Sequence, residues 1–130
     1  MSHQRFVFLL IFVGGGIGSM LRHAVNQTTA AALGVNFPYG TLLVNIIGSF
    51  IIGLLAGWFA LRGGSSQSLR LFLTTGIVGG FTTFSAFTLD TALLWERGQL
   101  GVAALYALGT ITAGMISLCA GLAIVRIALS

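Results

Sequence analysis

Long apolar runs separated by short polar connections dominate this sequence. The runs cover residues 6–21, 41–61, 71–94 and 102–129. A helix of about 20 apolar residues crosses the hydrocarbon core of a bilayer, so each run is a candidate membrane span. The connections are short, beginning with a Thr/Ala-rich segment that ends at Pro38, and consecutive spans are therefore expected to be antiparallel neighbours. The pattern predicts an all-α integral membrane protein, with four transmembrane helices in a single domain over residues 1–130 and both chain ends on one side of the membrane.

The composition excludes a water-soluble protein. Hydrophobic residues make up 56% of the chain and charged residues only 6%, whereas a soluble domain carries roughly 25% charged residues. The net charge of +4 comes from six arginines against Asp90 and Glu96, and the chain has no basic run of the kind that binds nucleic acid. A cytosolic enzyme and a nucleic-acid-binding protein are thereby excluded, and the lipid bilayer is the expected surrounding.

The arginines give only a weak bias for orientation in the membrane. Those on the side of the chain ends are Arg5, Arg62, Arg70 and Arg126, and those on the other side are Arg22 and Arg97. An excess of basic residues in short loops sets the orientation of a membrane protein. A chain with this small excess can insert both ways, which would permit an antiparallel homodimer. A fixed orientation with the ends inside is the alternative, and the arginine count favours neither.

Glycine is unusually frequent, with 19 of 130 residues against about 7% in an average protein. Small residues recur at four-residue spacing on the first, second and fourth spans, for example at Gly14 and Gly18 and at Gly53 and Gly57. This spacing lets membrane helices pack closely. Close packing leaves no room for a wide pore within one subunit, so any transport route must be narrow or lie between subunits.

The middle of the third span is expected to be a broken helix. Residues 76–88 combine helix-weakening glycines with threonine and serine hydroxyls. Unwound backbone at membrane depth is tolerated only where it is buried in protein or lines a cavity, and it frees carbonyl groups for ions. Phe84 and Phe87 follow at a spacing of three, which places them on one helical face, with the Ser85 hydroxyl between them in sequence.

These residues suit a path for a small anion. Thr41 and Asn45 lie four residues apart on the second span, and Tyr106 and Thr110 lie four apart on the fourth. Hydroxyl and amide groups donate hydrogen bonds, and aromatic ring edges carry the positive end of the ring quadrupole. Carboxylates would repel an anion, and the spans hold only Asp90, which can pair with an arginine. Apart from Asp90, the spans therefore lack the acidic side chains from which a cation or proton pathway is built.

Three phrases of the sequence resemble the Fluc (CrcB-type) fluoride channel family. They are GGIG at 15–18 followed by Arg22, FPYGTLLVN at 37–45 followed by Gly48, and GGFTTFSAF at 79–87. The match covers all four spans. The resemblance implies a fluoride-selective channel, not an enzyme, that passively exports fluoride from the cytoplasm across the bacterial plasma (inner) membrane. It also implies a dual-topology antiparallel homodimer with two narrow pores near the subunit interface.

The resemblance further implies roles for individual residues. The expected pore and fluoride-binding residues, including the hydroxyls already noted, are Asn45, Phe84, Phe87, Tyr106, Thr110, Ser85 and Thr41. Arg22 is expected at the aqueous vestibule, where it would draw anions in. A central structural Na⁺ would be held by the backbone carbonyls of Gly79 and Thr82 from both subunits.

Two other functions remain open from the sequence. A small four-helix, dual-topology multidrug exporter would carry an intramembrane glutamate in its first span, and residues 6–21 contain none. A non-transporting membrane subunit would use its polar residues only for hydrogen bonds between helices, each worth about 0.6 kcal/mol on average. Fluoride efflux from liposomes distinguishes both from a channel.

Overall fold

The computed structural model describes residues 2–130, which are almost entirely helical. The elements are α1 (His3–Leu33), α2 (Tyr39–Arg62), α3 (Gln67–Leu71), a π-helical segment (Phe72–Val78), α4 (Gly79–Phe81), α5 (Phe84–Glu96) and α6 (Leu100–Leu129). Elements α3 to α5 form one interrupted unit, Gln67–Glu96, called the third span below. This span, α1, α2 and α6 are each long and apolar enough to cross a membrane, which confirms the predicted four-span, all-α architecture.

The first helix is longer than its apolar run predicts. The apolar run ends at Leu21, but α1 continues to Leu33 through the Thr/Ala-rich segment expected to be a connection. That segment contains no glycine or proline before Gly34, so nothing in it interrupts the helix. Gly34 ends the helix with a φ of 82°, and its N–H donates to the Ala30 carbonyl at 3.0 Å. Arg22 consequently lies inside a helix.

Helices α2 and α6 pack along each other through small residues. A Cβ placed on Gly53 would overlap the Leu118 carbonyl oxygen, and one on Gly121 would overlap the Phe50 carbonyl oxygen. Gly57 faces Val125, whose Cβ would be 3.1 Å from an added Cβ. Because lipid is as apolar as the helices, membrane helices associate largely through such close packing. The predicted close approach is confirmed for this pair.

Helix α1 packs in the same way along the third span. A Cβ on Gly14 would meet the Phe72 carbonyl oxygen at 2.9 Å, and one on Gly18 would overlap the Ile77 carbonyl oxygen. The contact therefore joins backbone to backbone. It runs along the first half of the third span up to the point where the span is interrupted.

Large apolar side chains cover much of the outer surface. Phe8 is 74% exposed, Phe12 78% and Ile127 77%, which suits helices surrounded by lipid hydrocarbon. A small buried cluster lies where α5 meets α6, and it includes Phe87 and Tyr106. Two of the residues predicted to line the pore thus belong to this buried cluster.

Candidate functional site

The third span is interrupted at Thr82 and Thr83. Both residues are extended, with φ/ψ of −84°/160° and −154°/115°, so the predicted broken helix is confirmed. The neighbouring glycines are themselves helical, and a Cβ on Gly80 would overlap the Gly15 carbonyl oxygen of α1. The glycines therefore serve close packing, while the β-branched threonines adopt the extended conformation they favour. The Thr83 hydroxyl accepts from the Ala86 N–H at 3.1 Å and so caps α5.

Asn45 of α2 holds the extended backbone in place. Its Nδ2 donates to the Thr83 carbonyl oxygen at 3.1 Å, and its Oδ1 accepts from the Thr83 N–H at 2.9 Å. One side chain thus satisfies both backbone groups of a residue that has left the helix. The second Nδ2 hydrogen is uncommitted by these bonds. The predicted pore role of Asn45 stays a prediction, whereas its clamping of Thr83 is a new finding.

Arg22 contacts the end of the first half of the third span. Its Nε donates to the Gly80 carbonyl oxygen at 3.2 Å, and the side chain is half-buried. The last carbonyls of a helix need partners from elsewhere, and this guanidinium supplies one. The contact links residues 58 positions apart in the chain, which no local sequence pattern could indicate. Its predicted vestibule role stays a prediction.

The carbonyl groups at the break differ in their hydrogen bonding. Those that have a partner belong to Val78, Gly80 and Thr83. The carbonyls of Gly79 and Thr82 accept no such bond from any residue between 2 and 130. These are the two carbonyls implied as sodium ligands. Within the same residues no group of three or more His, Cys, Asp or Glu side chains could hold a metal.

A groove of about 390 Å³ lies beside the break, between α2, α5 and α6. Its lining includes Asn45, Phe84, Phe87 and Thr110. The two phenylalanine rings have centroids 5.7 Å apart and planes tilted by 50°. Phe87 is buried, and Phe84 is 74% exposed on the open side. The structure thus brings four of the predicted pore residues to one groove.

The Thr110 hydroxyl is the unusual group in this groove. Its oxygen is buried and has no hydrogen-bond partner among the described residues. A buried hydroxyl left unpaired costs about 1–3 kcal/mol, so proteins normally pair such groups. Thr110 is among the residues that line the groove, and its hydroxyl keeps an unused hydrogen-bond donor.

Tyr106 lies four residues before Thr110 on α6 and is not among the residues that line the groove. Its side chain is 2% exposed, and its ring lies 5.4 Å from that of Phe87 and 5.4 Å from that of Phe37. Its hydroxyl donates to Asp90 Oδ2 at 3.2 Å. The sequence permits Asp90 to pair with an arginine, but the hydrogen-bond partner of its carboxylate in the structure is the Tyr106 hydroxyl. The partners are 16 residues apart on different helices, so local spacing could not reveal them.

A larger cavity of about 740 Å³ opens where α1 and α2 are joined. Its polar lining includes Asn26, Thr29, Thr41, Asp90, Glu96 and Arg97. Thr41 is buried at its wall, so the structure separates this predicted pore residue from the four in the groove. Ser85, Tyr106 and Arg22 are not among the residues that line either cavity. Ser85 is exposed, and its hydroxyl lies 3.3 Å from that of Thr83.

Comparison with known proteins shows similarity along most of the chain. A family model described as "CrcB-like protein, Camphor Resistance (CrcB)" matches residues 9–122. "Fluoride-specific ion channel FluC 2" of Nitrobacter hamburgensis is 57% identical over 119 residues, covering 92% of this chain and 96% of the relative. "Fluoride-specific ion channel FluC" of Methylobacterium nodulans is 58% identical over 118 residues, covering 91% and 94%. A protein of the same name from Rhodopseudomonas palustris is 56% identical over 119 residues, covering 92% and 96%.

Proposed function

The chain belongs to the CrcB family, and on that premise we propose that it is a multi-pass membrane channel for fluoride. The observation that carries the proposal is the groove beside the break, where the Phe84 and Phe87 rings lie with the unpartnered Thr110 hydroxyl. An anion that leaves water needs hydrogen-bond donors and positive ring edges in its place. The channel conducts fluoride passively down its electrochemical gradient and performs no catalysis.

Fluoride passes along the groove and then towards the larger cavity. In the groove, the Thr110 hydroxyl and the uncommitted Asn45 N–H are the donors, and the phenylalanines supply ring edges. Beyond Phe87 the route follows the Tyr106 ring to Thr41. Because the Tyr106 hydroxyl donates to Asp90, that tyrosine offers its ring and not its hydroxyl hydrogen to the ion. Arg22 adds positive charge near the break.

The open side of the groove is closed by a second copy of the chain. Phe84, Ile111 and Met115 line the groove and are 74%, 56% and 64% exposed in the single chain. Without a cover, an ion at Phe84 would face lipid. A homodimer with a twofold axis buries the same face of both copies and forms two equivalent pathways. The weak arginine bias permits an antiparallel, dual-topology arrangement of the two copies.

A structural Na⁺ at the break fits the residues present. The carbonyls of Gly79 and Thr82 have no hydrogen-bond partner within residues 2–130, and unwound carbonyls of broken membrane helices are suitable Na⁺ ligands. In the dimer these carbonyls come from both copies. The ion would supply a fixed positive charge that neutralises the exposed carbonyl dipoles and ties the two breaks together.

Ion efflux from liposomes tests the function. Purified protein is reconstituted in vesicles loaded with fluoride or chloride, and release is compared with protein-free vesicles. We expect rapid release of fluoride only. Phe84→Ile and Phe87→Ile each remove an aromatic ring from the groove and should suppress fluoride release strongly. Phe8→Ile is the matched control, because Phe8 is equally exposed on α1 but lies outside the groove.

Three results would contradict the proposal. Absence of fluoride release by the unsubstituted protein would favour a non-transporting subunit. Equal release of chloride and fluoride would show that the protein is not selective for fluoride. Full fluoride release by both groove variants would show that the rings do not line the route.

A further inference from the structure

One end of the molecule is strongly basic. Its arginines are Arg5 at the start of α1, Arg62 at the end of α2, Arg70 in α3 and Arg126 near the end of α6. The only two acidic side chains, Asp90 and Glu96, both lie in α5 towards the opposite end. No acidic side chain is therefore available at the basic end to neutralise its arginines.

Two of these arginines are held against aromatic rings. The Arg62 guanidinium carbon lies 5.6 Å from the centroid of the Trp58 ring, and that of Arg70 lies 5.1 Å from the Phe59 ring. A cation over an aromatic face is attracted by the ring quadrupole. Both arginine side chains are exposed. They are thus positioned by α2 while their N–H groups remain open to the surroundings.

Two other arginines use their side chains for hydrogen bonds to the backbone. Arg22 donates its Nε to the Gly80 carbonyl, and Arg97 donates its Nε to the Leu93 carbonyl. Within residues 2–130, the side chains of Arg62 and Arg70 make no hydrogen bond to the protein, so their donors are free for a ligand.

We propose that Trp58, Arg62 and Arg70, here called the arginine surface, bind the phosphate group of an anionic phospholipid. The planar guanidinium group matches phosphate oxygens with paired hydrogen bonds. Trp58 is 46% exposed near the end of a span, where tryptophan marks the level of the lipid headgroups. Leu61 and Leu69 are 51% and 46% exposed beside these residues, and they offer apolar contact for acyl chains that a dissolved anion would not need.

The two tryptophans of the chain allow a direct test. Trp58 lies near the basic end and Trp95 near the opposite end, so Trp95→Phe and Trp58→Phe each leave one fluorescent reporter. Each protein is placed in phosphatidylcholine vesicles with a minor share of brominated phosphatidylglycerol or brominated phosphatidylcholine. We expect Trp58 to be quenched much more by the anionic lipid, reflecting roughly fivefold local enrichment for one basic residue at a charged surface. Trp95 should show little preference.

The assignment to these side chains is tested in the Trp95→Phe protein. Arg62→Gln with Arg70→Gln should abolish the preference of Trp58, and Arg97→Gln at the other end should leave it unchanged. Raising the salt to 1 M shortens the screening length from about 10 Å at 0.1 M to about 3 Å and should also abolish it, without any substitution. The measurement at 1 M salt tests the proposal even if the variant with both Arg62→Gln and Arg70→Gln does not fold.

Three outcomes would overturn the proposal. Equal quenching of Trp58 by the two brominated lipids would show no anionic preference. A preference that survives in the double variant would place the site elsewhere. Loss of the preference on adding inorganic phosphate, with sulfate at equal ionic strength as the control, would identify free phosphate as the ligand. None of these results depends on fluoride conduction.

Discussion

At the residue scale, the polar groups around the break divide into those that hold the backbone and those that remain available. Asn45 and Arg22 donate to the carbonyls of Thr83 and Gly80 and so belong to the first group, although one Asn45 N–H takes no part in these bonds. Thr110 belongs to the second, because its buried hydroxyl has no partner among the described residues. The sequence indicates which residue types are candidates for the site. It does not show which of them hold the backbone and which remain available, because each contact joins distant parts of the chain.

The available hydroxyl of Thr110 can be tested by a substitution that separates stability from transport. Thr110→Val keeps the shape of the side chain and removes an unpaired buried hydroxyl, so the thermal unfolding midpoint in detergent should stay the same or rise. Fluoride efflux should fall by about tenfold, which corresponds to loss of one net hydrogen bond of roughly 1.4 kcal/mol. Thr110→Ser keeps the donor and serves as the control. Undiminished efflux in the valine variant would exclude Thr110 from the path.

At the scale of elements, hydropathy and composition predict the number of spans and the interruption of the third span, but they do not predict the contacts between helices. The spans follow from apolar runs, and the break follows from the composition of residues 76–88. The sequence pattern does not separate the roles of the glycines and the threonines, because that depends on α1 lying against Gly80. The extension of α1 to Leu33 also escapes a hydropathy argument, since its last turns are helical without being strongly apolar.

The packing of α1 on the third span makes Gly18 a sensitive position. Gly18→Ala places a Cβ against the Ile77 carbonyl and the Phe81 N–H region, and backbone cannot move aside as a flexible side chain can. We expect a loss of about 1–3 kcal/mol, typical of overpacking, measured as a lower unfolding midpoint in detergent. Gly16→Ala is the matched control, because nothing lies within 4 Å of its added Cβ. Equal midpoints for the two variants would contradict the backbone contact.

At the scale of the whole molecule, one part of the outer surface suits contact with lipid and another part suits contact with protein. Phe8 and Phe12 on α1 suit lipid, whereas the exposed Phe84 lies at the open side of a groove that also holds polar groups. A single chain surrounded by lipid would leave those polar groups poorly solvated. The proposed second copy removes this cost. Its direction relative to the first is a property of insertion, and the small arginine excess leaves both directions accessible.

Insertion in both directions has a measurable consequence at the two ends of the molecule. In a Cys119→Ala background, Ser65→Cys marks the connection between α2 and α3, and Gln99→Cys marks the connection before α6 on the opposite side. If both orientations are equally populated, a thiol reagent that does not cross the membrane should label about half of either cysteine in sealed cells. Labelling should become complete after permeabilisation. A fixed orientation would instead label one position fully and the other not at all, and that result would rule out the antiparallel dimer.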